Sequence, residues 1–341
     1  MEWENKYITQ NPIDVYEEML THRKEGNSKG RSTGHKQLND YISIKPGVPI
    51  FIGGAPFSGK SEFALELVLN DIKFHKKNWL IVSPETGNTV ELYGQLAEKI
   101  VGDGSKYYEN YGDKPNPHAM KDDTLRKVMK FFKDHLRTID PTEDWKKLGD
   151  SLNMTMGNLF DVIDREEDKL GKKFDGVLID PFNEMDTEED KPIHKQVRDD
   201  LETLIVYGKQ TNKTIILTNH TNDVKGWIRK DLSNQSYMYY PPARPEDWAF
   251  GQQWFRKAYQ LITVYRPQPQ TIEIMADGEV DVSVAHPYNH AMNNGNNMSL
   301  IKVQKSKPKG IGKIGEVHLF FDVIKQRYYT IDENQNKHYA D

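Results

Sequence analysis

The segment Gly54-Ala55-Pro56-Phe57-Ser58-Gly59-Lys60-Ser61 constrains this chain more than any other stretch of it. It follows the apolar run Pro49-Ile50-Phe51-Ile52 and opens the helical pattern Ser61-Glu62-Phe63-Ala64-Leu65-Glu66-Leu67-Val68-Leu69. The spelling is G-x-x-x-x-G-K-[ST] between a buried strand and a helix, the setting in which such a loop binds phosphate. Glycines let backbone N–H groups curl around an anion, and the helix N-terminus adds partial positive charge. Lys60 is placed to reach β- and γ-phosphates, and the Ser61 hydroxyl to ligate Mg²⁺. Gly54, Ala55, Pro56, Phe57, Ser58, Gly59, Lys60, Ser61 and Glu62 are therefore the candidate binding residues for ATP or another NTP or dNTP.

Composition narrows the setting. A chain of 341 residues with 36% hydrophobic and 28% charged residues has ample length for a core and the make-up of a soluble globular protein. No run approaches the ~18 apolar residues of a membrane span, and Met1-Glu2-Trp3-Glu4-Asn5-Lys6 lacks the pattern of a signal peptide. No membrane partner is expected, and a cytoplasmic location is, in the host for a phage-encoded chain. The absence of cysteine rules out disulfides, cysteine-ligated zinc and thiol catalysis. A net charge of −5 argues against indiscriminate coating of nucleic acid but leaves room for a local basic channel.

Residues 1–30 read as an arm and tether, and residues 31–341 as the main domain. Within the arm, Pro12 to Lys24 has one short amphipathic stripe, Ile13, Tyr16 and Leu20, followed by the tether Glu25-Gly26-Asn27-Ser28-Lys29-Gly30. A lone helix of this length is marginal in water, so the stripe needs either its own core or a neighbouring subunit. From Thr33 onward strands alternate with helices, which predicts a mostly parallel sheet with crossover helices. Strands are expected at 49–53, 78–83, 136–139, 175–180, 213–218 and 260–265. Helices are expected at 61–76, 89–101, 120–134, 155–170 and 194–210. Beyond 265 the pattern turns to hairpins, with a turn at Asp277-Gly278 and two last strands near 300–305 and 315–321.

Three further strand ends carry chemistry. Phe174 to Asp180 is an apolar strand ending in aspartate, the form of a Walker B element whose carboxylate supports Mg²⁺ beside the γ-phosphate. Trp79 to Val82 runs into Ser83-Pro84-Glu85, and Glu85 leaves a strand end where ligands of open parallel sheets bind. It is expected close to the phosphate-loop strand as the general base for water, with Glu184 as its competitor. Thr214 to Leu217 ends in Thr218-Asn219-His220, polar groups suited to sensing the γ-phosphate, although His220 alone could equally be a structural histidine.

Taken together these residues resemble the helicase domain of the Twinkle-like branch of DnaB-type hexameric helicases, within the RecA-like ATPases. The resemblance runs from about Ser32 to Tyr329 and rests on several motifs. These are Ser58 to Phe63, Ser83-Pro84-Glu85 with Glu98-Lys99, Ile139-Asp140-Pro141 and Asp175 to Glu184. Lys257-Ala258 and Val303 to Lys307, running into Gly312 to Gly315, complete the set. It implies a RecA-like P-loop α/β fold, Glu85 as general base, and a C-terminal basic pair reaching the neighbour's nucleotide. It also implies Arg266 and Phe321 at the positions where relatives sandwich the base. The chain departs from the pattern by having Lys305-Ser306-Lys307 where relatives have Lys-x-Arg, which removes the guanidinium fork. No primase module is expected beside this domain.

The resemblance and the loops point to DNA. The segment 221–253 interleaves Lys225, Arg229, Lys230 and Arg244 with Trp227, Tyr237, Tyr239 and Tyr240, so cations can hold phosphates while aromatics stack bases. The expectation is an ATP- and Mg²⁺-dependent helicase motor on single-stranded or forked DNA, a homo-oligomer in a hexameric ring, working 5′ to 3′ by resemblance. Lys60, Glu85, His220 and, in trans, Lys307 and Lys305 would serve catalysis; Ser61 and Asp180 would hold the metal. A primase, polymerase or loader would be a further partner. The rival readings are a recombinase or filament protein using ATP as an assembly switch, and a catalytically weak structural ATPase.

Overall fold

Strands that are apolar on both faces must be covered on both faces, and the helices between them do this. A computed structural model describes residues 12, 13, 15–25, 29–83, 88–139, 154–186, 192–222, 224, 227–230, 236–239, 241–266, 273–274, 280–281 and 297–341. Six parallel strands, β1 (Ile50–Gly54), β2 (Trp79–Val82), β3 (Leu136–Ile139), β4 (Gly176–Ile179), β5 (Thr214–His220) and β6 (Gln260–Tyr265), form one half of a ten-stranded sheet. Four antiparallel strands, β7 (Asn297–Ser306), β8 (Gly315–Asp322), β9 (Arg327–Ile331) and β10 (Lys337–Tyr339), extend it. The spatial order is β10-β9-β8-β7-β6-β1-β5-β4-β2-β3.

The helices are α1 (Tyr16–Glu25), α2 (Lys60–His75), α3 (Thr89–Val101), α4 (Asp122–His135), α5 (Met156–Leu170), α6 (Ile193–Thr211) and the short α7 (Gln253–Lys257). Strand side chains alternate between two cores, as a period of two requires. Ile50, Ile52, Ile81, Leu178 and Ile216 pack with Phe63 and Leu67 of α2, Leu96 of α3 and Phe132 of α4. Phe51, Val82, Val177, Ile179 and Leu217 pack with Leu159 and Ile163 of α5 and Leu201 and Leu204 of α6. The helix ends follow local chemistry. The Asn88 side chain accepts the Glu91 N–H (3.0 Å) to start α3, and Gly102 ends it at φ 63°. Among the described residues no helix is long and apolar enough to cross a membrane.

Several expectations need adjustment. β2 is not beside β1: β5 and β4 lie between them, and β2 pairs with β4 and β3. The C-terminal region has four sheet strands rather than two, because Arg327 to Ile331 and Lys337 to Tyr339 continue the antiparallel half. The last strand, Lys-His-Tyr, is a polar edge with no apolar alternation to announce it. Small hairpins at Asn110–Tyr111 with Lys114–Pro115, and at Trp227–Lys230 with Ser236–Tyr239, were also missed. Glu273–Ile274 does pair with Val280–Asp281, while Asp277 and Gly278 lie outside the described residues. The arm helix begins at Tyr16 rather than Pro12, and Ile13 (76% exposed) and Tyr16 (52%) are not covered by the chain's own core.

A buried ionic cluster ties the two halves together. Glu66 on α2 meets Nε of Arg327 on β9 at 2.9 Å, Lys99 on α3 at 3.8 Å and His35 at 3.4 Å. Arg327 also donates to Asn70 (2.9 Å), and Lys99 lies 2.7 Å from Glu62 and donates to the Gln326 carbonyl (2.8 Å). Arg31, at the root of the arm, forks onto Asp71 at 2.6 and 2.8 Å.

Burial alone would raise the Glu66 carboxyl, but His35, Lys99 and Arg327 override it and hold the pKa at about 2 instead of 4.5. A depressed folded-state pKa adds stability above the unfolded value and loses it as pH falls through the folded one. Urea unfolding at stepped pH should therefore show this contribution draining away between 4.5 and about 2. Arg327→Met removes the cation nearest the buried Glu66 and leaves Lys99 and His35 to face it, and should cost up to about 3 kcal/mol at neutral pH. An unchanged urea midpoint in that variant would count against the network as a structural tie.

Candidate nucleotide site

At the carboxyl end of β1 the chain makes the tight turn that the glycines forecast. The Ser58 N–H donates to the Ala55 carbonyl at 3.1 Å, Phe57 sits at φ 60° with an exposed ring, and Gly59 at φ 90° leads into α2. Close approach explains the two glycines before the turn. A Cβ on Gly53 would fall within the Trp248 ring, and one on Gly54 would lie 2.6 Å from the Val264 carbonyl oxygen. The Ser58 Oγ is buried and has no hydrogen-bond partner among the described residues.

Strand register brings three further elements to this turn. Gly54 is abreast of His220, so β1 and β5 end together, while Ile179 and Val82 end β4 and β2 level with Leu217, three residues earlier, and Asp180 reaches the turn from there. Asp180, 2% exposed, accepts at Oδ1 from the Ser61 hydroxyl (3.0 Å) and from the Thr218 hydroxyl. Lys60, 5% exposed, places Nζ 2.8 Å from Nδ1 of His220. With the ammonium as donor, Nδ1 is the acceptor and the ring proton belongs on Nε2. The hydroxyls of Ser61 and Thr218 and the carboxylate of Asp180 are hard oxygen donors, the set Mg²⁺ takes. The loop N–H groups, Lys60 and the unpaired Ser58 Oγ suit a polyphosphate, so the residues present fit both the nucleotide and its metal.

The end of β5 is also joined to the segment that follows it. The Ala249 N–H donates to the His220 carbonyl (3.0 Å), the Asn219 side chain donates to the Ala249 carbonyl (3.2 Å), and the Asn222 N–H donates to Asp247 (2.7 Å). Trp248 and Trp254 anchor this segment, with Phe51 and Phe182 both edge-on to Trp254 at 5.4 and 5.3 Å. Arg244 is exposed and 3.4 Å from Asp247. Arg229 and Lys230 lie on the hairpin strand Trp227–Lys230; Lys225 lies outside the described residues.

The other candidates fall in three places. Glu85 lies outside the described residues, two positions past the buried Ser83 that follows β2. Its strand neighbours β4, not β1, because sheet order is invisible to local pattern. The rival Glu184 is exposed in the turn Phe182–Glu184. Arg266 follows β6 and Phe321 is the last residue but one of β8, both at the phosphate-loop end; the Phe321 ring is 5.0 Å from Tyr328 and 5.0 Å from Lys99 Nζ.

Lys305 and Lys307 are elsewhere. Lys305 is abreast of Leu261, which is abreast of Phe51, and Lys307 hydrogen-bonds one residue before β6, at Tyr259. At ~3.3 Å per residue, these positions lie roughly 10 and 17 Å along the strands from Gly54. The Lys305 amine is held by the Phe255 carbonyl over the Phe255 ring, while burial and Lys307 lower its pKa. Lys307 is exposed. Neither is positioned to serve the phosphate loop of its own chain.

Sequence reasoning missed Tyr328 altogether. Its buried hydroxyl donates to the Gly59 carbonyl at 3.2 Å across 269 positions of chain, a contact with no local signal. The Trp248 ring over Gly53 was missed for the same reason.

No protein-family model and no curated protein matches the chain in sequence. In fold it matches solved structures. A DnaB-like replicative helicase, whose structure was described with its interactions with primase, superposes with a TM-score of 0.62 at 16% identity, over 95% of this chain and 67% of that one. A second solved structure, an ATPase domain on its own, superposes with a TM-score of 0.63 at 15% identity, over 95% of this chain and 99% of that one. The antiparallel half belongs to the shared fold, since the superposition takes in nearly the whole chain. This chain has the RecA-like P-loop α/β fold of the ATPase domain of DnaB-type replicative helicases.

Proposed function

We propose that this chain is the ATP-driven motor subunit of a DnaB-type DNA helicase, translocating on single-stranded DNA within a hexameric ring. One observation carries the reading: Lys60, Ser61, Asp180, Thr218 and His220 converge at one end of the sheet, and the same strand end is hydrogen-bonded to the segment behind the basic hairpin. Lys60 and the loop N–H groups hold the phosphates. Ser61 and Asp180 would hold Mg²⁺, which would supply neutralisation of phosphate charge. Glu85 orients the attacking water and accepts its proton. Arg266 and Phe321 contact the base.

His220 reads the state of the site through Lys60. When the γ-phosphate leaves, the ammonium is redistributed between phosphate and imidazole, and the shift passes through the His220 carbonyl to Ala249 and Trp248. Lys225, Arg229, Lys230 and Arg244 bind DNA phosphates, with Arg244 exchanging Asp247 for a phosphate oxygen. The exposed stripe of Ile13 and Tyr16 docks on a neighbouring subunit, and the exposed Lys307, supported by Lys305, completes that neighbour's site.

The test is ATP-dependent strand displacement on a forked substrate, with electron microscopy of the protein on single-stranded DNA with an ATP analogue. Displacement by closed six-membered rings is expected. Filaments that hydrolyse ATP without displacing a strand would overturn the motor reading in favour of a recombinase-like one.

Two variants probe the chemistry. Glu85→Gln should cut hydrolysis by about 10²–10⁴-fold while Mg²⁺–ATP affinity changes little, because a base is lost but no phosphate contact. If Glu184→Gln produces that loss instead, the base is Glu184. Lys307→Ala should lower DNA-stimulated turnover at least about tenfold and spare nucleotide affinity, since the charge it meets develops in the transition state. Mixing Lys307→Ala with Glu85→Gln subunits should recover part of the activity, as some interfaces then pair an intact base with an intact lysine. Full turnover by Lys307→Ala alone would exclude a role in trans.

A further inference from the structure

We infer that Tyr328 is a positioning residue for the phosphate loop, acting as a latch through the Gly59 carbonyl. The inference rests on the reading of that loop as a nucleotide site. Gly59, at φ 90°, is the last residue before α2, and its carbonyl accepts from two directions: the Phe63 N–H at 2.9 Å and the Tyr328 hydroxyl at 3.2 Å. The peptide unit is planar and trans, so the Gly59 carbonyl and the Lys60 N–H point opposite ways. Pinning the carbonyl toward β9 therefore aims the Lys60 N–H out of the helix axis and into the anion cradle. A flip of this one peptide would present a carbonyl oxygen to the phosphates in place of a donor.

The latch is built as a rigid part. Tyr328 is 1% exposed, packs edge-on against Phe63 of the same helix (6.1 Å) and Phe321 (5.0 Å), and is also hydrogen-bonded to Ser299 of β7. Burial, with the nearby Glu62 carboxylate, pushes the phenol upward, which keeps its proton available to donate. A Cβ on Gly59 would come within 2.9 Å of the Tyr328 oxygen, so the glycine admits both the turn and the latch. The antiparallel half of the sheet thus reaches the phosphate loop directly and does more than cover a face of the core.

Tyr328→Phe keeps the ring and its packing and removes only the donor. Inorganic tripolyphosphate competing with a fluorescent ATP analogue should bind about three- to tenfold more weakly. KM for ATP should rise by a similar factor, while kcat at saturation stays within about twofold, the pattern of lost uniform binding. Adenosine affinity should not change. Unchanged tripolyphosphate affinity overturns the latch, and so does an equal loss for adenosine, which would place the effect on base packing beside Phe321. Should Tyr328→Phe not fold, Ser299→Ala reads the same hydroxyl through its partner: a loss confined to tripolyphosphate supports the latch, and none overturns it. A wild-type protein that binds no ATP would instead overturn the phosphate-loop reading itself.

Discussion

One carboxylate oxygen holds the centre of this molecule together. Asp180 Oδ1 takes hydrogen bonds from Ser61 at the start of α2 and from Thr218 near the end of β5, so a single buried acceptor joins three elements distant in sequence. An ionised carboxylate removed from water costs several kcal/mol unless donors surround it, and two hydroxyls meet part of that demand. The same hydroxyls and carboxylate are the oxygens a divalent cation prefers. The need to satisfy a buried charge and the need to hold a metal thus select the same residues in the same place.

Around that point the sheet divides its labour by strand direction. The parallel strands all run toward one end, so the turn after β1, Asp180, Thr218 and His220 meet there. The antiparallel half runs both ways, and so it can deliver residues to both edges. Tyr328 and Phe321 arrive at the phosphate-loop edge, while Lys305 and Lys307 are left at the opposite one. The two sets of residues therefore lie at different levels of the sheet.

The ionic cluster around Glu66 joins the parallel half to the antiparallel one. Glu66 lies on α2, one helical turn beyond Glu62, and Arg327 immediately precedes Tyr328 on β9. Buried ion pairs contribute modest net stability but are costly to break, so such a cluster specifies one arrangement rather than merely strengthening it. Here the arrangement it specifies keeps β9 against α2, and therefore Tyr328 against Gly59.

The residues alone determined the glycine-rich turn between β1 and α2, the strand that runs into Asp180, and the alternation of strands and helices. Those features are local: a turn that needs glycine, a helix that needs an amphipathic stripe, and a strand that needs a period of two are all written within about ten residues. Tertiary structure alone decided strand order, and with it that β2 lies beside β4 rather than β1. It also decided the Trp248 ring over Gly53, the Tyr328 hydroxyl on Gly59, and the placement of Lys305 and Lys307 away from their own loop. Each of these joins positions far apart in the chain through packing or register, and no short-range pattern records which strand a residue will meet once the sheet has closed.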